Sequence, residues 1–191
     1  MKVRMCDIAG VVEITTICHG DGRGFFSETW NHRALAEAGV DVDFVQDNQS
    51  LSVAAGTLRG LHFQTPPFAQ AKLVRVLSGA VFDVVVDIRK GSPTFRRWVG
   101  VELSRDKWNQ LFVPIGFAHG FVTLLPNTEV AYKVSNYYSP AHDRTIRFDD
   151  PAIDISWPTE LAPYHLSAKD RAAPLMCGVE TGFFFEGKQR A

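Results

Sequence analysis

Two stretches of this 191-residue sequence place ionisable side chains among apolar ones. The first is Gly56-Thr57-Leu58-Arg59-Gly60-Leu61-His62-Phe63-Gln64, followed by Lys72; the second is Val113-Pro114-Ile115-Gly116-Phe117-Ala118-His119-Gly120-Phe121. A neutral imidazole, with an unperturbed pKa of about 6.5, suits a general base near neutral pH. A fixed ammonium holds negative charge that grows on an oxygen. At ~4 Å and an effective dielectric of ~20 that attraction is on the order of 4 kcal/mol, and one good oxyanion donor is commonly worth ~3 kcal/mol of barrier. His62, His119, Lys72 and Arg59 thus read as parts for removing a proton beside a carbonyl. Inverting a centre also requires an acid on the opposite face. Tyr132 is a candidate, because a phenol donates and returns a proton, but Tyr137 and Tyr138 compete and spacing does not choose among them. Asp170 suits the role of orienting an imidazole by accepting its other N–H; taken alone, a carboxylate so far along the chain reads as a surface residue. His19, His32, His142 and His165 read as structural.

The elements that must position these groups are mostly strands. Val11–Ile14, Leu73–Leu77, Val81–Ile88, Trp98–Leu103, Gln110–Val113, Gly120–Leu124 and Val130–Val134 are short β-branched and aromatic runs separated by turn residues. Such a series predicts a sandwich or closed barrel. One helix is expected, His32–Ala38, capped by Asn31 and stopped by Gly39. If Leu58–Gln64 is a strand, simple alternation puts Leu58, Gly60, His62 and Gln64 on one face and Arg59, Leu61 and Phe63 on the other. Asp83 and Asp87 share a face of their strand and read as ordinary solvated or paired carboxylates. Arg23 and Glu28, which flank Phe25-Phe26, read as a charged edge-strand turn. The length suits one domain, residues 1–191, with an irregular tail from about 152 folded back to cover Trp157, Leu161 and Leu166. The triple-Phe run 183–185 reads as buried against the barrel or a partner chain.

Composition excludes several classes. Hydrophobic residues make up 46% and charged residues 21%, ordinary for a soluble globular protein. A net charge of −1 provides no global field for nucleic acid or an anionic membrane, so basic residues act locally. Cys6, Cys18 and Cys177 are sparse and odd in number, which points to a reducing compartment. The N-terminus lacks an apolar leader core and no apolar run approaches a bilayer span, so a cytoplasmic location is expected.

The two histidine segments resemble the motifs of the cupin superfamily, small jelly-roll barrels that often hold a metal. Gly56 and His62 keep the spacing of the first motif, and Pro114-Ile115-Gly116-Phe117-Ala118-His119 keeps that of the second. The second histidine ligand is replaced by Gln64, however, and the glutamate ligand, seven residues before Gly79, by Lys72. A cation at a carboxylate position disfavours a divalent ion. No metal and no cofactor are expected.

The sequence is similar to the dTDP-4-dehydrorhamnose 3,5-epimerase family from about Asp21 to Asp170. The resemblance is carried by Gly22-Arg23-Gly24-Phe25-Phe26-Ser27-Glu28, Phe44-Val45-Gln46-Asp47-Asn48, Leu58–Gln64 and Lys72–Val76. It continues through Asp87-Ile88-Arg89-Lys90-Gly91-Ser92-Pro93-Thr94, the His119 segment, Tyr132-Lys133 and Lys169-Asp170. It implies a mainly β, cupin-type double-stranded β-helix (jelly-roll) barrel with a few short helices. It also implies His62 as general base, Asp170 as its dyad partner, Tyr132 as acid and Lys72 at the keto and enolate oxygen. Arg23, Glu28, Gln46, Asp47, Asn48, Arg59, His119 and Lys169 fall at positions that bind the nucleotide sugar, and Tyr138 is added as a residue that stacks on the ligand. The sequence departs from the family at Asp143, where a glutamate is usual; a side chain shorter by one methylene turns a direct ligand contact toward a water bridge. The implied state is a homodimer with exchanged strands, so part of the nucleotide site comes from the second copy. The implied reaction inverts C3 and C5 of dTDP-4-dehydro-6-deoxy-D-glucose. The rival readings are a single-centre epimerase of a related deoxysugar, a metal-dependent cupin oxygenase or isomerase, and a non-enzymatic sugar-nucleotide binding module.

Overall fold

Apolar alternation becomes strands in a computed structural model that describes residues 1–187. Thirteen strands form: β1 (Lys2–Met5), β2 (Val12–Thr15), β3 (His19–Asp21), β4 (Gly24–Phe26), β5 (Gln46–Ser52), β6 (Leu58–Gln64), β7 (Lys72–Ser78), β8 (Ala80–Asp87), β9 (Trp98–Ser104), β10 (Asn109–Val113), β11 (Phe117–Thr123), β12 (Thr128–Val134) and β13 (Asp143–Thr145). Two short α-helices accompany them, α1 (His32–Glu37) and α2 (Ala168–Arg171). Asn31 caps α1 as expected, its Oδ1 accepting from the Ala34 N–H at 3.1 Å. The second helix is one of the few short helices that the resemblance implied, but the residue pattern did not locate it, since four residues are too few for a periodic signal.

All strand pairs are antiparallel. One six-stranded sheet has the order β1-β2-β10-β7-β12-β5 and faces a five-stranded sheet of order β13-β6-β11-β8-β9. β3 and β4 make a separate hairpin. Between the sheets Val74, Val76, Leu111, Val113 and Val130 pack on Val81, Val85, Val101, Leu103, Phe117 and Phe121. This is the mainly β jelly-roll of cupin type that the sequence implied.

The five-stranded sheet is buried on both faces. Leu58, Leu61, Phe63, Val84, Val86 and Val122 on its outer face are covered by Ile146, Ile153, Trp157, Met176 and Phe183 from the C-terminal segment. That double burial explains why β8 reads as a near-continuous apolar run. Of the triple-Phe run only Phe183 is buried; Phe184 is largely exposed, and the Phe185 ring lies 5.1 Å from the Arg89 guanidinium. Burial against the barrel thus holds for Phe183 alone, because a strand-like segment offers alternate side chains to alternate faces.

Simple alternation fails in β6, and the failure builds the site. His62 pairs with His119 and Arg59 with Phe121, so Gly60 and Leu61 stand opposite Gly120 alone. This is a β-bulge, in which one extra residue re-aims the side chains beyond it. Leu58, Leu61 and Phe63 pack in the outer cluster, while Arg59, His62 and Gln64 line the interior cavity. The even-odd assignment that separated Arg59 from His62 is therefore wrong. Only glycine fits the bulge: Gly60 has φ +142°, and a Cβ there would lie 2.5 Å from Gly120 Cα. Gly60→Ala is expected to cost about 3 kcal/mol through positive φ and backbone overlap. That corresponds to a Tm lower by roughly 6–12 °C for a chain of this size. Thermal unfolding measures it, and an unchanged Tm would contradict the bulge.

Candidate active site

A cavity of about 300 Å³ opens where the apolar filling between the sheets gives way to polar side chains. β6 supplies Arg59, His62 and Gln64, β7 supplies Lys72, β11 supplies His119 and Phe121, and β12 supplies Tyr132. Tyr138, Asp143, Ser167, Lys169 and Asp170 close the wall from the loop after β12, from β13 and from α2. The fold thus brings together groups more than a hundred residues apart.

His62 Nε2 lies 2.6 Å from Asp170 Oδ1. An ionised carboxylate only accepts, so the hydrogen sits on Nε2 and the lone pair on Nδ1. Asp170 is itself held: Ser167 Oγ donates to its Oδ2 at 2.7 Å, and the Asp170 N–H donates back to Ser167 Oγ at 3.1 Å. Ser167 is also the N-cap of α2. Burial works against the Asp170 charge, but the bonds from His62 and Ser167 and the nearby Lys169 outweigh it and hold the carboxyl below its ordinary range.

Lys72 is buried and donates to the His62 carbonyl at 3.3 Å. Burial pushes its ammonium down to about 8, against the opposing pull of Asp83 and Asp143. His119 is buried and its Nε2 lies 2.9 Å from both carboxylate oxygens of Asp83. Desolvation lowers its pKa although Asp83 favours the cation, and Lys72 and His62 add to the lowering. Burial raises the Tyr132 phenol, so it stays protonated through the neutral range. The interior thus holds one dischargeable cation, two imidazoles each backed by a carboxylate, and a phenol.

Asp83 is fully buried inside the barrel and paired with His119, so of its reading as a solvated or paired carboxylate the paired alternative holds and the solvated one does not. Its alternation with Val81 and Val85 on one face of β8 was the available signal. Asp87, on the same face, is also fully buried and accepts from Arg89, Ser92 and Thr94. Ser167 was likewise missed; a serine three residues before Asp170 is a capping pattern. Asp143 accepts from Tyr138 Oη at 3.1 Å and pairs with Lys169, so these three form one cluster at the mouth.

The remaining predicted positions are not in the cavity of this chain. Arg23 sits at the tip of the β3–β4 hairpin, paired with Asp21 at 2.6 Å, its side chain almost fully exposed. Glu28 is exposed and lines a separate small pocket beside Phe26 and Trp30. Asp47 lies on the outer face of β5 and pairs with Lys133 at 2.9 Å. Gln46 and Asn48 turn to the inner side of that edge strand and bond each other at 2.8 Å. A shallower groove of about 680 Å³ lies beyond the Asp143–Lys169 pair, and none of His62, Lys72, His119 or Tyr132 lines it.

At the cupin ligand positions, Gln64 engages only backbone groups and Lys72 is a cation. Among the described residues no group of three or more His, Cys, Asp or Glu side chains is placed to hold a metal ion. Among them, too, no helix is long and apolar enough to cross a membrane.

The jelly-roll barrel and this interior define a class, a cupin-fold protein whose cavity is lined by acid–base side chains. Comparison with known proteins narrows it. The sequence model of dTDP-4-dehydrorhamnose 3,5-epimerase matches residues 5–177. A dTDP-4-dehydrorhamnose 3,5-epimerase of Sinorhizobium fredii is 50% identical over 183 residues, 96% of this chain and 93% of the relative. The crystal structure of that enzyme from Bacillus anthracis, with TDP and PPi bound, superposes with a TM-score of 0.88 at 49% identity, covering 91% of this chain and 98% of that one. The Legionella pneumophila epimerase in complex with dTDP-4-keto-L-rhamnose gives a TM-score of 0.89 at 44% identity, covering 94% of each chain. The chain belongs to the dTDP-4-dehydrorhamnose 3,5-epimerase family.

Proposed function

We propose that this chain inverts C3 and C5 of dTDP-4-dehydro-6-deoxy-D-glucose, giving dTDP-4-dehydro-L-rhamnose, with His62 as base, Lys72 at the carbonyl oxygen and Tyr132 as acid. The observation that carries this reading is the enclosure of a carboxylate-backed imidazole, a buried ammonium and a protonated phenol in one cavity. Both carbons flank the C4 ketone, so one set of groups serves both. His62 Nδ1 takes the proton from carbon. The C–H electrons pass into the C4–oxygen unit, and the resulting enolate oxygen rests against the Lys72 ammonium. Tyr132 delivers a proton to the opposite face, and the stereocentre inverts. Asp170 keeps the imidazole in one tautomer and steadies the imidazolium. The chemistry requires neither an electron carrier nor a metal.

Remote binding energy positions the sugar. Arg59, Lys169 and His119 stand in the cavity for this purpose, and Tyr138 offers an aromatic face at the mouth. Asp143 joins them through Lys169 and Tyr138. We infer a cytoplasmic homodimer of one-domain chains with exchanged strands. In it the exposed β3–β4 hairpin, bearing Arg23 and followed by Glu28, completes the site of the second copy, and Gln46, Asp47 and Asn48 flank the nucleotide along β5. Support for this arrangement comes from Phe25 and Phe26, large apolar side chains 55% and 71% exposed on that hairpin.

Turnover in deuterated water, followed by mass and NMR spectroscopy, tests the reaction. One deuterium at C3 and one at C5 is expected. Label at one carbon alone would make the chain a single-centre epimerase, and no label at either would end the reading.

A further inference from the structure

Gln64 occupies the position of a metal-ligand histidine in other cupins, and its contacts give it a different task. It is 4% exposed. Its Nε2 donates to the Phe68 carbonyl at 2.6 Å and the Tyr137 carbonyl at 3.1 Å, and its Oε1 accepts from the Ser139 N–H at 2.7 Å. One carboxamide thus ties strand β6 to two loops, the one after β6 and the one after β12. No other side chain of that size offers two N–H donors and a carbonyl acceptor from one planar group, asparagine being too short to reach. A histidine there has at most one donor and one acceptor while neutral, and a glutamate has no donor.

The bonds to Tyr137 and Ser139 bracket Tyr138. The Tyr138 N–H is held as well, donating to Gln46 Oε1 at 3.1 Å. Three successive residues are therefore fixed through their backbone, while the Tyr138 ring stays 57% exposed and lines the cavity. The same two loops are joined again by Gln70 Nε2 to the Asn136 carbonyl at 2.7 Å and by the Thr65 N–H to the His142 carbonyl at 3.0 Å. His62, by contrast, is oriented by Asp170 and does not depend on these loops.

We propose that Gln64 is a positioning residue for substrate capture: its carboxamide sets the 137–139 backbone so that Tyr138 stands over the cavity mouth, ready for the nucleotide portion of the ligand. This rests on the sugar-nucleotide reading above. The role is one of affinity, because a rigid mouth spares the ordering cost that a loose loop incurs on binding.

The probe is dTDP, with turnover measured in parallel. Gln64→Met keeps the side-chain volume and removes all three bonds. It is expected to raise the Kd for dTDP and the KM about 10-fold, with kcat within about 3-fold. Tyr138→Ala is expected to weaken dTDP by a similar factor, and the double variant to bind no more than about 2-fold worse than Tyr138→Ala, since both act through one ring. Additive losses, or a fall in kcat at unchanged KM, would overturn the proposal. A measurement on the unsubstituted chain stands in if the variant fails to fold: the Ser139 amide is expected to exchange with deuterated solvent at least 10-fold slower than an open amide without ligand, and free exchange there would equally overturn it. If the unsubstituted chain binds dTDP but does not turn over, the proposed reaction fails while the binding and exchange readouts still decide the role of Gln64.

Discussion

His62→Gln is expected to lower kcat by about 10³- to 10⁴-fold, at the upper end of what a positioned general base contributes. Glutamine is chosen because its Nε2 amide reaches the place of the imidazole Nε2 and can still donate toward Asp170, so the buried carboxylate is not left without a partner. What is lost is the basic lone pair. Since the same imidazole is assigned to both carbons, deuterium incorporation at C3 and at C5 should fall together. Binding of dTDP should change by less than about 3-fold, because the nucleotide is held by other residues and the loss lies in the transition state alone. Solvent exchange in the variant within tenfold of the parent rate would remove His62 from the base role. Loss at one carbon only would assign the second proton to another group, and His119, with its own carboxylate at 2.9 Å, is the next candidate.

Lys72→Met should lower kcat about 10²- to 10³-fold at neutral pH, the usual loss for one donor to a developing oxyanion. The pH profile is the more specific readout. Burial brings Lys72 to about 8, so the ammonium is present below that pH and disappears above it. The dependent rate enhancement is therefore full on the acid side and fades as pH rises through about 8. Tyr132 cannot produce this limb, since burial raises its phenol above the ordinary value of 10.0. The variant's residual activity should lack the limb. An alkaline limb near 8 that persists in Lys72→Met would detach Lys72 from the enolate. Stability carries the opposite sign: a cation disfavoured by burial costs folding free energy below pH 8, and that cost is relieved as pH rises from about 8 toward 10.5.

The sequence was most legible where a strand is apolar on one face or both. β7, β8, β9, β10 and β12 follow their apolar runs to within a few residues at either end. β5 was invisible because Gln46–Ser52 is mostly polar, and an edge strand whose outer face carries Asp47 and Gln49 has no apolar periodicity to display. The β6 bulge was also hidden: two residues, Gly60 and Leu61, opposing one glycine leave no trace in a binary pattern, yet the bulge decides that Arg59 and His62 share a cavity. Asp170 lies 108 residues beyond His62, and only family resemblance linked them before the fold placed them 2.6 Å apart. Asp83 was visible as a charge in an apolar strand and read as a paired carboxylate, but its partner His119 was not legible, because sequence does not tell an inward face from an outward one when both are buried.

That double burial has a consequence for how the protein loses activity. His62, His119 and Asp83 sit on the three inner strands of a sheet whose two faces are both sealed, one by the opposing sheet and one by the C-terminal segment. Local opening of such strands requires both covers to be disrupted, so their opening free energy approaches that of the whole fold. Thermal inactivation then coincides with global denaturation, and no folded but catalytically dead form accumulates ahead of it through failure of this sheet.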